Sequence, residues 1–322
     1  MPLSNTKLQM RGLYPATVAV YNDDFSLDVE ATRTHLASVA AVSGVKGLVV
    51  TGMLAEVLEL TSEEEVEIVK IACSVRKEGQ LIIAGLMERN PDLAVKQAKA
   101  LKAAGADALL VFPPYELRSY RKLLSDEAEM VKYFSRLDDE AAIPLIVFQY
   151  PPASAAAYPI NILERLADIP GVVGVKAATG TVEAYYDIWD KLKDKISVLA
   201  AVDSPPLREM LLYGAHGALI GISTITPQHW VKLLEATEAK DVARTDAIFD
   251  KICRPLMASV FENQKPTRAT HETACVKEAL VQLGEIPSAR IRPPAVPVTE
   301  SIAQEIREAL IASELLQGEA VR

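Results

Sequence analysis

The chain has few cysteines and few histidines, and these two shortages exclude several kinds of functional site. Its 322 residues include three cysteines, Cys73, Cys253 and Cys275, which are widely spaced and form no CxxC pair. A disulfide framework or a zinc site is therefore not expected, and the three are interpreted as plain buried thiols. The four histidines stand apart, without an HExxH or a Ser-His-Asp pattern around them. We therefore expect no metal centre and no histidine-based triad.

Long apolar runs and glycine-rich phosphate loops are missing as well. No stretch of 18 or more apolar residues occurs, and the N-terminal segment lacks a continuous apolar signal region, so a cytoplasmic protein is expected. Neither GxGxxG nor GxxxxGK(S/T) is present, which removes the common dinucleotide and nucleotide cradles, and no cofactor is expected. The net charge of -9 argues against nucleic acid or an anionic membrane as the main partner. A small molecule is the expected ligand.

Apolar residues make up half of the chain, and eight short apolar runs recur at fairly even intervals. Between them lie segments with helical periodicity, such as 62–77 and 91–106. Continuously apolar strands joined by helical crossovers require a parallel sheet covered on both faces, and eight such units close into a (β/α)8 barrel. The runs are LYPATVAV (13–20), GLVV (47–50), LIIA (81–84), ALLVF (108–112), PLIVF (144–148), VVGVK (172–176), ISVLAA (196–201) and GALIGI (217–222).

The predicted fold class is α/β, a (β/α)8 TIM barrel over residues 10–240 with a helical C-terminal segment over 241–322 packed on the barrel. A doubly wound open sheet is the alternative. The tail shows helical patterns without further strands, and its stretch IPSARIRPPAVPV is interpreted as a stiff link between helices. In TSEEE (61–65), Ser62 and Glu65 match a capping box, so this acidic run is interpreted as a helix start.

The strand ends indicate where chemistry is expected, because in such a barrel the C-terminal ends of the strands and the loops after them form the active-site face. Lys176, in the stretch GVVGVKAATG, is the only lysine at any of these predicted ends. Its amine either reaches past the strand into water, or it is desolvated, has a depressed pKa and acts as a nucleophile. With Tyr115 and Tyr150 after two other strands, such an amine suits covalent catalysis on a carbonyl.

Four segments carry a pattern that goes beyond the strand count: TGMLAEVLELTSEEE (51–65), LLVFPPY (109–115), IPLIVFQYPP (143–152) and GVVGVKAATG (171–180). In this order they resemble the GxxGE substrate loop, the strand-4 segment, the strand-5 segment and the strand-6 lysine motif of the dihydrodipicolinate synthase/N-acetylneuraminate lyase family of class I aldolases. The resemblance spans roughly residues 10–285. It implies a barrel, usually a homotetramer, in which Lys176 forms a Schiff base with pyruvate or another 2-oxo acid.

The chain departs from this family at two places near the lysine. Phe148 stands where the resemblance places a catalytic tyrosine, so the phenol that relays protons in the family is absent there. Tyr150 lies two residues on and is expected on the same face, either as a shifted proton relay or as part of the rim. Gly52, Met53 and Leu54 replace a loop with a hydroxyl-bearing pair, which leaves the backbone N–H groups of Met53 and Leu54 to bind the substrate carboxylate.

The distal end of the substrate site differs too. Ala153 aligns with the arginine that dihydrodipicolinate synthases use to hold the carboxylate of their aldehyde substrate, so the chain is not expected to be a true dihydrodipicolinate synthase. Tyr115 aligns with a tyrosine that reaches across a subunit contact in the family, and an ordinary packed tyrosine is the alternative. The residues after strands 7 and 8 that are placed to contact the distal end are Asp203, Ser204, Ser223 and Thr224.

The sequence therefore predicts a lysine Schiff-base lyase, an aldolase or dehydratase that acts on a 2-oxo acid and assembles as a tetramer or dimer. A catalytically idle keto-acid-binding or regulatory paralogue is the alternative, because the relay tyrosine and the hydroxyl pair are both missing. A phosphate-sugar barrel enzyme ranks last, since the loops after strands 7 and 8 lack adjacent glycines. The residues assigned to catalysis are Lys176 and Tyr150, and those assigned to substrate binding are Gly52, Met53, Leu54, Tyr115, Phe148 and Ser223.

Overall fold

Eight short strands form the centre of the molecule. The computed structural model describes residues 7–113, 122–154, 156–261 and 272–317. Each strand overlaps one of the eight apolar runs. The predicted and observed bounds differ most for the first run, because regular strand pairing ends at Pro15. The segment after it is folded back by a bond from the Asp28 N–H to the Val20 carbonyl (2.8 Å). The strands are β1 (Gly12–Pro15), β2 (Gly47–Val50), β3 (Leu81–Leu86), β4 (Ala108–Val111), β5 (Leu145–Gln149), β6 (Val172–Ala177), β7 (Ser197–Ala200) and β8 (Gly217–Ile220).

All neighbouring strands are parallel, and they are hydrogen-bonded in the order β1-β8-β7-β6-β5-β4-β3-β2. The two end strands of this order, β1 and β2, meet through single bridges, Leu13 with Val45 and Ala16 with Val49. The Thr17 N–H donates to the Val49 carbonyl at 2.9 Å and extends this seam. The sheet is thus a nearly closed barrel. The predicted (β/α)8 fold is confirmed, and the doubly wound open sheet is wrong.

Both faces of the sheet are buried, which explains why the strands read as continuous apolar runs. Inside the barrel, Val49, Phe148 and Leu199 from three different strands belong to one packed core. Their neighbours Leu48 and Val147 point the other way, into a larger core between the sheet and the surrounding helices. Successive residues of a strand therefore serve opposite cores, as the pleat of a strand requires.

A helix follows each strand and covers the outer face of the barrel. Five of these helices follow an N-cap residue whose side chain accepts a backbone N–H bond, namely Asp28, Thr61, Asn90, Asp126 and Thr181. The eight helices are α1 (Val29–Ala40), α2 (Ser62–Val75), α3 (Pro91–Ala104), α4 (Glu127–Ala141), α5 (Ile160–Ala167), α6 (Val182–Leu192), α7 (Leu207–Tyr213) and α8 (Pro227–Glu238).

The capping box of α2 lies one residue earlier than the sequence pattern predicted. Thr61 is the N-cap, its hydroxyl accepts from Glu64 N–H, and the Glu64 carboxylate accepts from Thr61 N–H. The prediction of Ser62 with Glu65 is therefore wrong. The choice between the two registers depends on distant partners, because Glu64 also binds the Arg292 guanidinium whereas Glu65 accepts from the Gln97 side chain.

The chain after α8 forms further helices. Helix α9 (Val242–Ile248) continues through two π-helical turns, Phe249–Cys253 and Met257–Phe261, that flank a short α-helical piece. Helices α10 (Glu272–Gln282) and α11 (Glu300–Ala312) follow, and both bury apolar side chains in the same outer core as the barrel helices. Within the described residues, no helix combines the length and the apolar character needed to cross a bilayer.

Candidate active site

Lys176 points into the barrel because the sheet register is shifted next to it. Val172 pairs with Leu145 of β5, but the next pair is Gly174 with Ile146, so one residue of β6 is passed over. Beyond the shift, Lys176 lies level with Phe148 on β5 and with Leu199 on β7. Both of these neighbours belong to the inner core, and the lysine side chain therefore shares their face of the sheet.

A cavity of about 400 Å³ lies at the C-terminal ends of the strands and contains this lysine. The lining is mostly apolar, with three ionisable groups, Lys176, Asp203 and Glu272, and one phenol, Tyr150. Among the described residues that line it, Lys176 carries the only positive charge. The remaining lining residues are Ala16, Val49, Gly52, Met53, Leu54, Leu110, Phe148, Pro151, Ala178, Gly180, Ala201, Val202, Ser204, Gly221 and Phe261.

The environment of the Lys176 amine raises the fraction of its neutral form above that of an ordinary lysine. Its Nζ atom lies 3.9 Å from the centre of the Phe148 ring. Burial lowers the pKa of Lys176 to about 8, and the negative charges of Asp203 and Glu272 oppose this decrease. At pH 7 about one such amine in ten is neutral, compared with roughly one in three thousand for an ordinary lysine. The site thus supplies a nucleophilic amine near neutral pH.

Asp203 and Glu272 bring two carboxyl groups to the same cavity. Asp203 follows β7, and its Oδ1 atom accepts a hydrogen bond from the Ile222 N–H at 2.8 Å. Burial raises the pKa of Asp203 to about 7, and this backbone bond and the charge of Lys176 oppose the increase. Asp203 thus takes up or releases a proton near neutral pH, a property that suits general acid or base catalysis.

Sequence reasoning found Asp203 only by its position after a strand, and it missed Glu272 and Phe261. Glu272 begins α10 and Phe261 ends the second π-helical turn, both beyond the last strand of the barrel. No periodicity or motif of the tail distinguishes them from other surface acids and packed aromatics. The contact arises only because the C-terminal segment folds back over the mouth of the barrel, where both residues line the cavity.

Phe148, whose ring lies beside the amine, forms an aromatic pair with Tyr150. Their rings are stacked, with centres 4.4 Å apart and planes inclined by 19°. Phe112 packs edge-on against Phe148 at 4.9 Å and fixes its ring from the inner core. Phe148 thus offers the amine an aromatic face and no hydroxyl group. Tyr150 also lines the cavity, and its side chain carries a phenol hydroxyl.

The turn after β2 brings Gly52, Met53 and Leu54 to the cavity. Met53–Ala55 forms one turn of 3-10 helix, whose first N–H groups have no acceptor within the turn itself. A Cβ atom at Gly52 would meet no described heavy atom within 4 Å, so this glycine faces open space. The turn therefore combines available backbone donors with room for an anionic group.

Ser223, which was assigned to substrate binding, is not among the described residues that line the cavity. The Ser223 side chain is fully buried, and its hydroxyl donates to the Ile220 carbonyl at 2.8 Å. Its prediction rested on position after β8, but the 3-10 turn at Ile222–Thr224 directs it back to the strand. Tyr115 lies outside the described residues. Ala153 is in an exposed turn at Pro152–Ser154, and its own side chain carries no guanidinium.

His35 and His216 are held by contacts within the fold. His35 is fully buried against the Thr224 hydroxyl (3.1 Å), and burial lowers its pKa to about 4. His216 accepts from the Val198 N–H at 2.9 Å through its Nδ1 atom. Cys253 and Cys275 are buried thiols, whereas Cys73 is partly exposed. Across the described ranges, no three His, Cys, Asp or Glu side chains are grouped closely enough to hold a metal ion.

Comparison with known proteins gives a consistent result over nearly the full chain. The model of the dihydrodipicolinate synthetase family matches residues 9–313. The chain is 30% identical to the 4-hydroxy-tetrahydrodipicolinate synthase of Methylobacterium radiotolerans, over 97% of this chain and 98% of that protein. It is 29% identical to the protein of the same name from Maridesulfovibrio salexigens, over 96% and 100%. Among solved structures it resembles the dihydrodipicolinate synthase of Acinetobacter baumannii complexed with pyruvate, with a TM-score of 0.84, 26% identity and coverage of 95% and 99%.

A parallel barrel that presents one desolvated amine at the end of a strand defines a class of protein, the class I lyases of the aldolase type, which bind carbonyl compounds as imines. Within this class, the chain belongs to the dihydrodipicolinate synthetase family. The family predicted from the four sequence segments is thus confirmed.

Proposed function

We propose that the protein is a lysine Schiff-base lyase, an aldolase or dehydratase, that acts on a 2-oxo acid such as pyruvate or a pyruvate-derived aldol. The observation that carries this proposal is the Lys176 amine, which lies in a cavity of about 400 Å³ with its pKa lowered to about 8. A neutral amine attacks the keto carbon to give a carbinolamine. Its hydroxyl group takes up one proton and leaves as water, which gives a protonated imine. This imine withdraws electrons from the neighbouring carbon and so acts as an electron sink.

For an aldolase, cleavage of the aldol follows from that electron sink. A base takes the proton of the hydroxyl group on the carbon that becomes the aldehyde, and the carbon–carbon bond breaks. Its electron pair enters the imine as an enamine, the aldehyde leaves, and protonation followed by hydrolysis returns the 2-oxo acid and the free amine. Two groups of this chain are placed to move these protons, the Tyr150 hydroxyl and the Asp203 carboxyl, and a bound water is the third route.

The turn at residues 52–55 is the proposed site of the substrate carboxylate. Its first backbone N–H groups, those of Met53 and Leu54, replace the hydroxyl donors that the family carries at this loop. Backbone N–H groups bind an oxyanion with charge-assisted hydrogen bonds and need no side chain to do so. The apolar side chains of Met53 and Leu54 make this end of the cavity narrower than a pair of hydroxyl residues would.

The acceptor half of the substrate is proposed to lack a second carboxylate. Ala153 provides no guanidinium, and the cavity holds the carboxyl groups of Asp203 and Glu272 in addition to the Lys176 amine. A negatively charged aldehyde is repelled by such a lining, since like charges in a poorly hydrated site destabilise each other. The name 4-hydroxy-tetrahydrodipicolinate synthase, which the compared relatives carry, is therefore not transferred to this chain.

Borohydride trapping tests the proposal directly. The protein is incubated with pyruvate or with longer 2-oxo acids, reduced, and analysed by mass spectrometry as the intact chain and as the Lys176 peptide. We expect one reduced adduct on Lys176, none in Lys176→Ala, and the wild-type result in Lys70→Ala, which removes an exposed lysine on α2 as the matched control. Absence of any adduct refutes the imine. An adduct without turnover of any aldol identifies the idle keto-acid-binding paralogue instead.

We also propose that the protein is a homo-oligomer. The side chains of Leu58 and Leu93 are 58% and 49% exposed, and both line one groove beside α2 and α3. Large apolar side chains exposed together favour contact with a second copy of the chain. Light scattering after gel filtration distinguishes a dimer or tetramer from a monomer, and Leu58→Glu with Leu93→Glu is expected to shift the mass towards the monomer. A wild-type protein that runs as a monomer contradicts this proposal.

A further inference from the structure

The turn proposed to bind the substrate carboxylate, residues 52–55, has unfavourable backbone at both flanks. Thr51 and Glu56, the residues on either side of it, have φ angles of 51° and 59°. Left-handed backbone is unfavourable for residues with a Cβ atom and particularly for a β-branched residue such as threonine. Backbone of this kind persists only where the surrounding structure holds it, and it is concentrated at functional sites. Contacts with the rest of the protein must therefore hold this turn.

The first flank is held by the neighbouring strand. The Thr51 hydroxyl accepts from the Gly85 N–H at 2.9 Å and donates to the Gly85 carbonyl at 3.3 Å. A side chain at position 85 would clash with the Thr51 carbonyl, which a Cβ atom would approach to 2.1 Å. Only glycine permits this close approach of β3 to the start of the turn.

The second flank is held by the C-terminal segment, more than 200 residues away in the chain. The Glu56 carboxylate accepts from the Lys277 ammonium at 2.5 Å through one oxygen and from the Arg292 N–H at 2.7 Å through the other. Lys277 also donates to the Arg290 carbonyl at 2.8 Å. The side chains of Lys277 and Glu56 are only 0% and 2% exposed, so this ion pair is excluded from water.

Two further contacts hold the carbonyl groups of the turn itself. The Thr273 hydroxyl, from the same helix α10 as Lys277, donates to the Met53 carbonyl at 3.4 Å. The Tyr21 hydroxyl donates to the Ala55 carbonyl at 3.3 Å, and the face of its ring lies 4.3 Å from the Lys277 ammonium. Helix α10 thus contacts the turn at two points, while its first residue, Glu272, lines the cavity.

We infer that Glu56 and Lys277 are positioning residues of the active site. Their ion pair holds the 52–55 turn in the geometry in which its N–H groups bind the substrate carboxylate, so that α10 is a working part of the site. A buried ion pair by itself contributes little net stability compared with apolar residues of similar size, and a role in fixing one geometry explains its presence better. The inference rests on the proposed function, because it assigns the turn to the carboxylate of the 2-oxo acid.

The test measures the pyruvate concentration that gives half-maximal imine trapping, together with the KM and kcat of aldol turnover. The variants are Lys277→Met, Glu56→Gln and the double variant Glu56→Gln/Lys277→Met. Glutamine keeps an oxygen for the Arg292 N–H, and methionine keeps most of the lysine volume without its charge. Thermal unfolding of every variant is recorded alongside. Thr273→Val, which removes one hydroxyl at the edge of the turn, is a milder variant in case the others do not fold.

In Lys277→Met we expect the half-saturating pyruvate concentration to rise on the order of tenfold, because small displacements of binding groups weaken productive binding strongly. The double variant is expected to recover most of the lost stability, since no unpaired charge remains buried, but to keep the weakened pyruvate binding. Thr273→Val is expected to show a smaller rise in the same direction. At saturating pyruvate, trapping on Lys176 stays complete in all of them.

Two results overturn the inference. Pyruvate binding that returns to the wild-type value in the double variant, together with its stability, shows that the pair acts on stability alone. Unchanged pyruvate binding in every folded variant, Thr273→Val included, shows that the turn does not depend on α10. Failure of the proposed function is recognised separately, because wild-type protein then forms no adduct on Lys176 at any pyruvate concentration.

Discussion

Lys176 and Lys277 are both lysines removed from water, yet the chain uses them in opposite ways. Lys277 contacts the Glu56 carboxylate directly at 2.5 Å, whereas the Lys176 amine lies against the Phe148 ring at 3.9 Å and interacts with Asp203 and Glu272 as nearby charges. Burial lowers the pKa of both amines. For Lys277, the direct contact with Glu56 opposes that change and supports the charged form.

The comparison teaches that burial alone does not make a lysine a nucleophile. The partner decides, because an ammonium in direct contact with a carboxylate keeps its proton and its position. A buried amine without a directly contacting carboxylate loses its proton more readily. The open cavity in front of Lys176 also leaves room for a reaction partner. Lys277 is thereby suited to hold structure, and Lys176 is suited to form a bond.

Removing the reactive amine gives the largest expected effect. Lys176→Ala is expected to reduce aldol turnover by at least about a thousandfold, because no other described residue of the cavity carries an amine. Its thermal stability is expected to equal or exceed that of the wild type, since a partly buried amine without a directly contacting carboxylate is removed. Steady-state kinetics and thermal unfolding check both parts. A variant with substantial turnover would contradict the imine mechanism.

Removing the Lys277 amine, which is paired with Glu56, is expected to lower the stability and to leave imine formation on Lys176 intact. Lys277→Met leaves Glu56 buried without its cation, and we expect a loss of about 3–5 kcal/mol in the free energy of unfolding. Urea titration followed by circular dichroism measures this loss, with Lys70→Met on the exposed face of α2 as the control. Imine trapping on Lys176 remains at saturating pyruvate. Loss of trapping in a folded Lys277→Met protein would contradict the assignment of a structural role to Lys277 and of bond formation to Lys176.

Removal of the Tyr150 hydroxyl is expected to have an intermediate effect on turnover. Tyr150→Phe keeps the stacked ring and removes only the hydroxyl, so we expect kcat to fall by about 100-fold, the lower end of what one proton-transfer group contributes. Borohydride trapping with pyruvate stays at the wild-type level, because binding of the 2-oxo acid does not need this hydroxyl. Unchanged kcat would show that Tyr150 only lines the rim and that Asp203 or water moves the protons.

The smallest expected effect is a shift of a pH profile. Because Lys176 reacts as the neutral amine and its pKa is about 8, the rate of imine formation is expected to rise with pH and to level off above pH 8. Asp203→Asn removes a negative charge that raises this pKa, so the midpoint is expected to move to lower pH. Stopped-flow measurement of imine formation from pH 6 to 10 follows both curves. A shift to higher pH would contradict the assigned electrostatics.

Local sequence predicted much of the fold because its signal is continuous. Each parallel strand is buried on both faces and therefore appears as an apolar run, as GLVV at 47–50 does, which matches β2 residue for residue. The same reasoning failed for the capping box of α2, where Thr61 and Ser62 are both acceptable caps. In the structure the capping box is formed by Thr61 and Glu64, and Glu64 also contacts Arg292, which lies far along the chain.

The candidate site was predictable only in part, for the same reason. Lys176 lies at the C-terminal end of β6 and the turn at Gly52 follows β2. The C-terminal strand ends of a barrel converge, so their meeting follows from the fold. Glu272 and Lys277 come from a helix beyond the barrel, and no spacing rule relates them to β2 or β6. Ser223 also follows a strand, but one turn of 3-10 helix returns its hydroxyl to the Ile220 carbonyl.

The sequence by itself determined the barrel and the place of its reactive lysine along the chain, because apolar period and strand order are local properties. Only the tertiary structure decided which way that lysine points. Val172 packs in the outer core, and strict alternation from it would direct Lys176 outward as well. The register shift between Leu145 and Ile146 adds one residue and turns Lys176 inward. Such a shift depends on how two neighbouring strands pack, and neither strand encodes it alone.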